Sequence, residues 1–112
     1  MTGENNYIDF DSALRRIGGN EGLFRKLLTI FQKDVKIEEL YTAIESNNLN
    51  EIAVTAHTIK GVAANLSLIK LTNITTTIDN DAKAGLDCKV HIPELRESYD
   101  KTIELINNYL GT

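Results

Sequence analysis

The chain has no tryptophan, one proline (Pro93) and one cysteine (Cys88). A single thiol excludes an internal disulfide and fits a reducing compartment, so a cytoplasmic location is expected. A single proline leaves long stretches free to run as helix, and the many Leu, Ile, Lys and Glu residues favour helix. No apolar run reaches the length of a membrane-spanning helix, and Met1 to Tyr7 shows no signal-peptide pattern. No cluster of Lys or Arg offsets the net charge of −4, which argues against nucleic acid as a partner. The only histidines are His57 and His91, and no Glu-x-x-His pair occurs, so a metal-binding bundle fails on spacing. There is no P-loop and no kinase glycine-rich loop, hence no motif for binding ATP.

What remains is an ordinary soluble composition, 42% apolar and 25% charged, in 112 residues: enough for one domain over 1–112. The polar start, 1–7, is expected to fray. A short helix is expected from Asp11, as N-cap, to Ile17, stopped by Gly18 and Gly19. Asn20 caps a long helix to about Glu45, ended by Ser46, Asn47 and Asn48. Leu23, Leu27, Ile30, Ile37, Tyr41 and Ile44 form its expected core row. A second apolar row, Phe24, Leu28, Phe31 and Val35, is rotated by roughly 100°. A neighbouring helix covers Phe24 and Phe31 in this reading, while Leu28 and Val35 stay partly exposed as a docking patch.

Asn50 to Leu66, NEIAVTAHTIKGVAANL, opens on an N-cap asparagine with Glu51 in the first turn. Ile52, Ala56, Ile59, Ala63 and Leu66 make a core-facing stripe. His57 points about 140° away from its centre, Ala53 about 100°, Ala64 about 120° and Gly61 about 180°, with Lys60 nearer at about 80°. The imidazole is therefore uncovered among small residues, although a mid-helix Gly costs about 1 kcal/mol relative to Ala. Lys60, three residues on, can reach a group carried by the ring. A free imidazole is a nucleophile near neutral pH, and a neighbouring ammonium suits an incoming phosphoryl group. A lone surface histidine is commonly no more than that; the joint pattern of His57, Lys60, Gly61 and small neighbours points to function.

A further helix is expected from about Leu68 to Lys83, with Leu71, Ile74, Ile78 and Ala82 inward and Gly85 closing it. Its many threonines make it dependent on packing. His91 reads as a plain surface residue of the following loop. Pro93 opens a last helix to Leu110, with Leu95, Tyr99, Ile103, Ile106 and Leu110 inward. The fold class is all-α: an antiparallel up-down four-helix bundle with a short additional N-terminal helix.

The run Ala56-His57-Thr58-Ile59-Lys60-Gly61 resembles the A-H-x-(L/I)-K-G signature of histidine-containing phosphotransfer (HPt) domains of two-component phosphorelays. Phe10-Asp11 with Ala13 to Asn20 resemble that family's N-terminal segment, and Leu27-Leu28 to Phe31 its second helix; the likeness runs from about Ile8 to Leu110, the last third matching only in helical pattern. The sequence departs from the pattern at Ser67, where the family often has glycine. It departs again at Asp79, where many members carry Gln or Glu facing the histidine.

The resemblance implies a phosphorelay intermediate. His57 accepts a phosphoryl group from a receiver-domain phospho-aspartate and passes it to another receiver aspartate. Lys60 stabilises phosphoryl charge, and Gly61 gives access. Val54, Ala64, Leu28 and Val35 are the candidate docking residues. The protein would be a carrier without kinase activity and with no cofactor or metal of its own, the divalent metal belonging to the receiver. Expected partners are response-regulator receiver domains and a hybrid sensor histidine kinase, with no membrane insertion and a monomeric state. The alternative is a helical adaptor bundle without phosphate chemistry.

Overall fold

The computed structural model describes residues 6–111. Six α-helices follow in order: α1 Phe10–Arg16, α2 Glu21–Asp34, α3 Ile37–Glu45, α4 Leu49–Asn65, α5 Ile69–Lys83 and α6 Ile92–Leu110. A 3-10 turn, Lys89–His91, leads into α6. The α2/α3 arm, α4, α5 and α6 are the four rods of an all-α bundle. Contacts run α3 to α4, α4 to α5, α5 to α6 and α6 back to α2, which closes it. Among the described residues no helix is long and apolar enough to cross a membrane.

The expected long second helix is two helices. Val35 takes extended angles, φ −72 and ψ 128, and ends α2; Lys36 precedes α3 without a side-chain cap. The break resolves the two apolar rows. On one continuous helix Phe24, Leu28 and Phe31 would face roughly 150° away from Ile37, Leu40, Tyr41 and Ile44. Interrupting the helix re-phases the second segment, so both sets are buried. The row taken for the core seam is thus wrong in its first half, since Leu23 and Ile30 are exposed. Leu28 is completely buried, so its docking role is corrected to a core role.

Four turns share one solution. Gly18, Asn47, Ser67 and Gly85 each sit at positive φ just past a helix. In each, paired amide bonds return to the last helical turn, as in Leu68 N–H to Ala63 O at 2.9 Å and Ser67 N–H to Ala64 O at 3.1 Å. Ser67 accordingly does the work of the family's glycine at φ 56. Its hydroxyl accepts from Arg16 Nη1 at 3.1 Å, and that guanidinium also donates to the carbonyls of Ala64 (2.6 Å) and Asn65 (3.1 Å). A cation there suits the negative end of α4.

Helix starts differ slightly from expectation. Asp9, not Asp11, caps α1, accepting from Ser12 N–H at 3.0 Å. Asn48, not Asn50, caps α4, accepting from Glu51 N–H at 3.2 Å. Pro93 is the second residue of α6. Residues 1–5 of the segment expected to fray lie outside the described residues, but Tyr7 is fixed: its carbonyl accepts from Ile69 N–H at 2.7 Å and its hydroxyl bonds Glu97.

The inward face of α6 is also turned from the expected stripe, by roughly 50°. Leu95, Ser98, Thr102 and Ile106 are buried, whereas Tyr99, Ile103 and Leu110 are half-buried. Two small hydroxyl residues occupy the centre, where counting apolar letters cannot find them. At one end, Phe10 of α1 stacks on Tyr109 of α6 at 4.8 Å and meets Phe24 of α2 edge-on at 6.0 Å, which sets α1 across the bundle.

Candidate functional site

The α4 stripe is buried as expected, Ile52, Ala56 and Ala63 fully and Ile59 and Leu66 nearly so. That fixes the rotation of α4 and turns His57 outward, with 66% of its side chain exposed. Gly61 also faces out, and a Cβ built on it would meet nothing within 4 Å. Among the described residues, no packing or backbone constraint therefore requires glycine there.

Across the α4–α5 groove lies Asp79, whose side chain is 1% exposed. Its Oδ2 is 3.5 Å from His57 Nδ1, 3.4 Å from Lys60 Nζ and 3.3 Å from Lys83 Nζ. Lys60 and Lys83 both donate hydrogen bonds to that oxygen; the histidine contact is electrostatic and looser. The other carboxylate oxygen, Oδ1, is buried with no hydrogen-bond partner among the described residues. Burial pushes the Asp79 carboxyl up, but the hydrogen bond and charge of Lys83, then those of Lys60, outweigh it and hold the group below its usual value. The carboxylate is thus ionised, and its charge is shared among three groups.

This arrangement has a direct consequence for the ring. With Nδ1 turned toward a carboxylate, the proton of a neutral imidazole belongs on Nδ1, and the lone pair of Nε2 faces solvent. Asp79, shorter than the family's usual Gln or Glu, still reaches the ring because it is seated at the helix interface. Lys83 escaped the sequence reading, although its place four residues after Asp79 puts both on one face of α5. His91 is not a plain surface residue: its Nε2 lies 2.7 Å from Asp81 Oδ2, and the ring is mostly covered.

The docking candidates separate. Val54 is 56% exposed, and with half-buried Val35 it lines a groove of about 260 Å³ between the α2/α3 break and α4. Ile30, Thr58 and Val62 belong to the same groove. Ala64 is exposed but lines a different recess, beside Arg16 and Ser67. Leu28 lines neither.

Residues 26–104 match the family model of the Hpt domain. No curated protein and no solved structure matches the chain. The match spans the α2-to-α6 bundle, includes His57, Lys60, Gly61 and Asp79, and covers well over half of the 112 residues, so the chain belongs to the Hpt domain family and its role lies in phosphotransfer of two-component signalling.

Proposed function

We propose that the protein is a phosphorelay intermediate in which His57 is the phosphoryl-accepting residue. The observation that carries this is the outward ring with Nδ1 against buried Asp79, which leaves Nε2 as an exposed nucleophile. The Nε2 lone pair attacks phosphorus of a receiver's phospho-aspartate. The N–P bond forms as the P–O bond breaks, and the receiver carboxylate leaves. Onward transfer reverses these events on a second receiver. A divalent metal bound by the receiver would supply charge neutralisation there, and the Hpt chain contributes the nucleophile, Lys60 and an open surface. Transfer of this kind is mostly positioning and charge stabilisation, so a shallow site is sufficient. Lys60 lies within reach of phosphoryl oxygens, and the empty space over Gly61 admits the receiver's active site. The partners in this reading are receiver domains and a hybrid sensor kinase in the cytoplasm, with the chain acting as a monomeric carrier without kinase activity.

The test is incubation with phosphorylated receivers from the same source. His57→Gln should abolish acid-labile, base-stable labelling with an unchanged helical circular dichroism spectrum, while His91→Gln should keep it. Label that survives loss of His57 would show that the accepting residue is another one, and a wild-type protein that accepts none would return the protein to a simple adaptor role.

A further inference from the structure

The carboxylate of Asp79 has more cations around it than a single buried charge requires, and they come from two helices. His57 and Lys60 reach it from α4 and Lys83 from α5; these are the charged and titratable groups in contact with it among the described residues. Helix geometry divides the two lysines. Lys83 follows Asp79 by four residues on α5, whereas Lys60 follows His57 by three on α4. Each ammonium therefore has a natural partner on its own helix, and Lys60 is the one that spans to the carboxylate.

We infer that Asp79 is a positioning residue with an exchangeable and a permanent counter-ion: phosphorylation of His57 draws Lys60 onto the phosphoryl oxygens, Lys83 stays, and Asp79 turns its freed capacity on the Nδ1–H of the phosphorylated ring. This rests on the relay reading and adds how the carrier prepares its phosphoryl group for release. Before transfer, two ammonium groups neutralise the carboxylate. Afterwards a phosphoryl group with up to two negative charges competes for Lys60, while the buried carboxylate keeps Lys83. Attack by Nε2 of the neutral ring leaves the proton on Nδ1 and the phosphorylated ring cationic; loss of that proton gives the neutral form, which holds the phosphoryl group more firmly. When the N–P bond breaks, its electron pair returns to Nε2, so a proton held on the ring makes the imidazole a better leaving group. A carboxylate beside Nδ1–H favours positive charge on the ring and hence a more labile N–P bond. Lys83 limits that effect, because it offsets the carboxylate that would otherwise act in full. The buried, unbonded Oδ1 is consistent with a carboxylate whose partners change.

The two residues should therefore act in opposite directions, which a merely structural tie between α4 and α5 would not do. Asp79→Asn and Lys83→Met, each in a His91→Gln background, are labelled with phosphoramidate, a small-molecule phosphoryl donor that needs no receiver. Loss of label is followed by intact mass from pH 5 to 9, with circular dichroism to verify folding. Asp79→Asn should lengthen the lifetime of phospho-His57 at pH 8 and Lys83→Met should shorten it, each by about three- to tenfold, corresponding to a shift of a half to one pH unit in the profile. Asp79→Glu, which restores the carboxylate, should move the profile back toward the parent. Equal lifetimes, or both variants shifting the same way, would overturn the inference. Because the label comes from phosphoramidate, failed transfer from receivers with this order intact sinks the relay reading alone, and successful transfer without it sinks only the counter-ion exchange.

Discussion

Asp79 Oδ2 and Lys83 Nζ lie 3.3 Å apart, one turn along α5, with the carboxylate sealed from solvent and the ammonium largely in it. Such a pair couples the site to stability. Burial raises the Asp79 carboxyl, the two lysines lower it by more, and the net position is below the ordinary 3.8. A carboxyl lower in the folded than in the unfolded chain contributes stability that is present above the unfolded value and is lost as pH falls through the folded one. Asp79→Asn should thus be less stable than wild type at pH 7, and the gap should close below about pH 3.8. Urea midpoints from pH 7 to pH 2 test this. A gap independent of pH would mean that the carboxylate charge is not what holds the pair.

Much of the site was legible because α4 carries one unambiguous stripe. Ile52, Ala56, Ile59, Ala63 and Leu66 fix its rotation, and everything said of His57 and Gly61 follows from that. The resemblance pointed to Asp79 but not to its second lysine, since contacts between helices do not show in the periodicity of either. The α2/α3 break was hidden for a different reason. No proline or glycine marks Val35-Lys36, and two apolar rows on one segment read equally well as a helix with two faces. The break is set by tertiary burial of Phe31 and Ile37 on either side of it. In α6 the buried centre is Ser98 and Thr102, polar letters that a hydrophobic pattern skips.

Gly61 gives a prediction in two directions. Its backbone is helical and its surroundings are open, so Gly61→Ala should stabilise the protein by up to about 1 kcal/mol. Gly61→Leu should fold as well yet slow phosphoryl transfer from a receiver, because the side chain would stand on the face where the proposed relay has the partner approach. Thermal melts and single-turnover transfer separate the two effects. Unchanged transfer with leucine would mean that this face is not the approach.

Arg16 ties α1 to the end of the His57 helix through two carbonyls and the Ser67 hydroxyl. Being exposed, these charge-assisted bonds are worth less than buried ones, and Arg16→Met should cost about 1 kcal/mol. The loss should be local. Amide exchange at Ser67 to Ile69 should accelerate more than at Ile52 or Ile78. Uniform acceleration, or none, would show that the guanidinium does not secure the α4–α5 turn.

Val54 and Leu28 test where a receiver docks. Val54 is more than half exposed, one turn before His57 on α4, and opens onto the groove shared with Ile30 and Val35. An apolar side chain there has no role in the core. Transient signalling interfaces are small, typically below about 1,200 Å² in total, so one central contact carries a visible share of the affinity. Val54→Glu should weaken receiver binding at least about tenfold, or about 1.4 kcal/mol, with little change in melting temperature. Leu28 is the control because it is fully buried: Leu28→Ala should cost about 2–5 kcal/mol of stability and leave the intrinsic affinity of the folded fraction unaltered. Titration calorimetry with a receiver, paired with thermal melts, reads both quantities. Normal binding by Val54→Glu would place the docking surface off this groove.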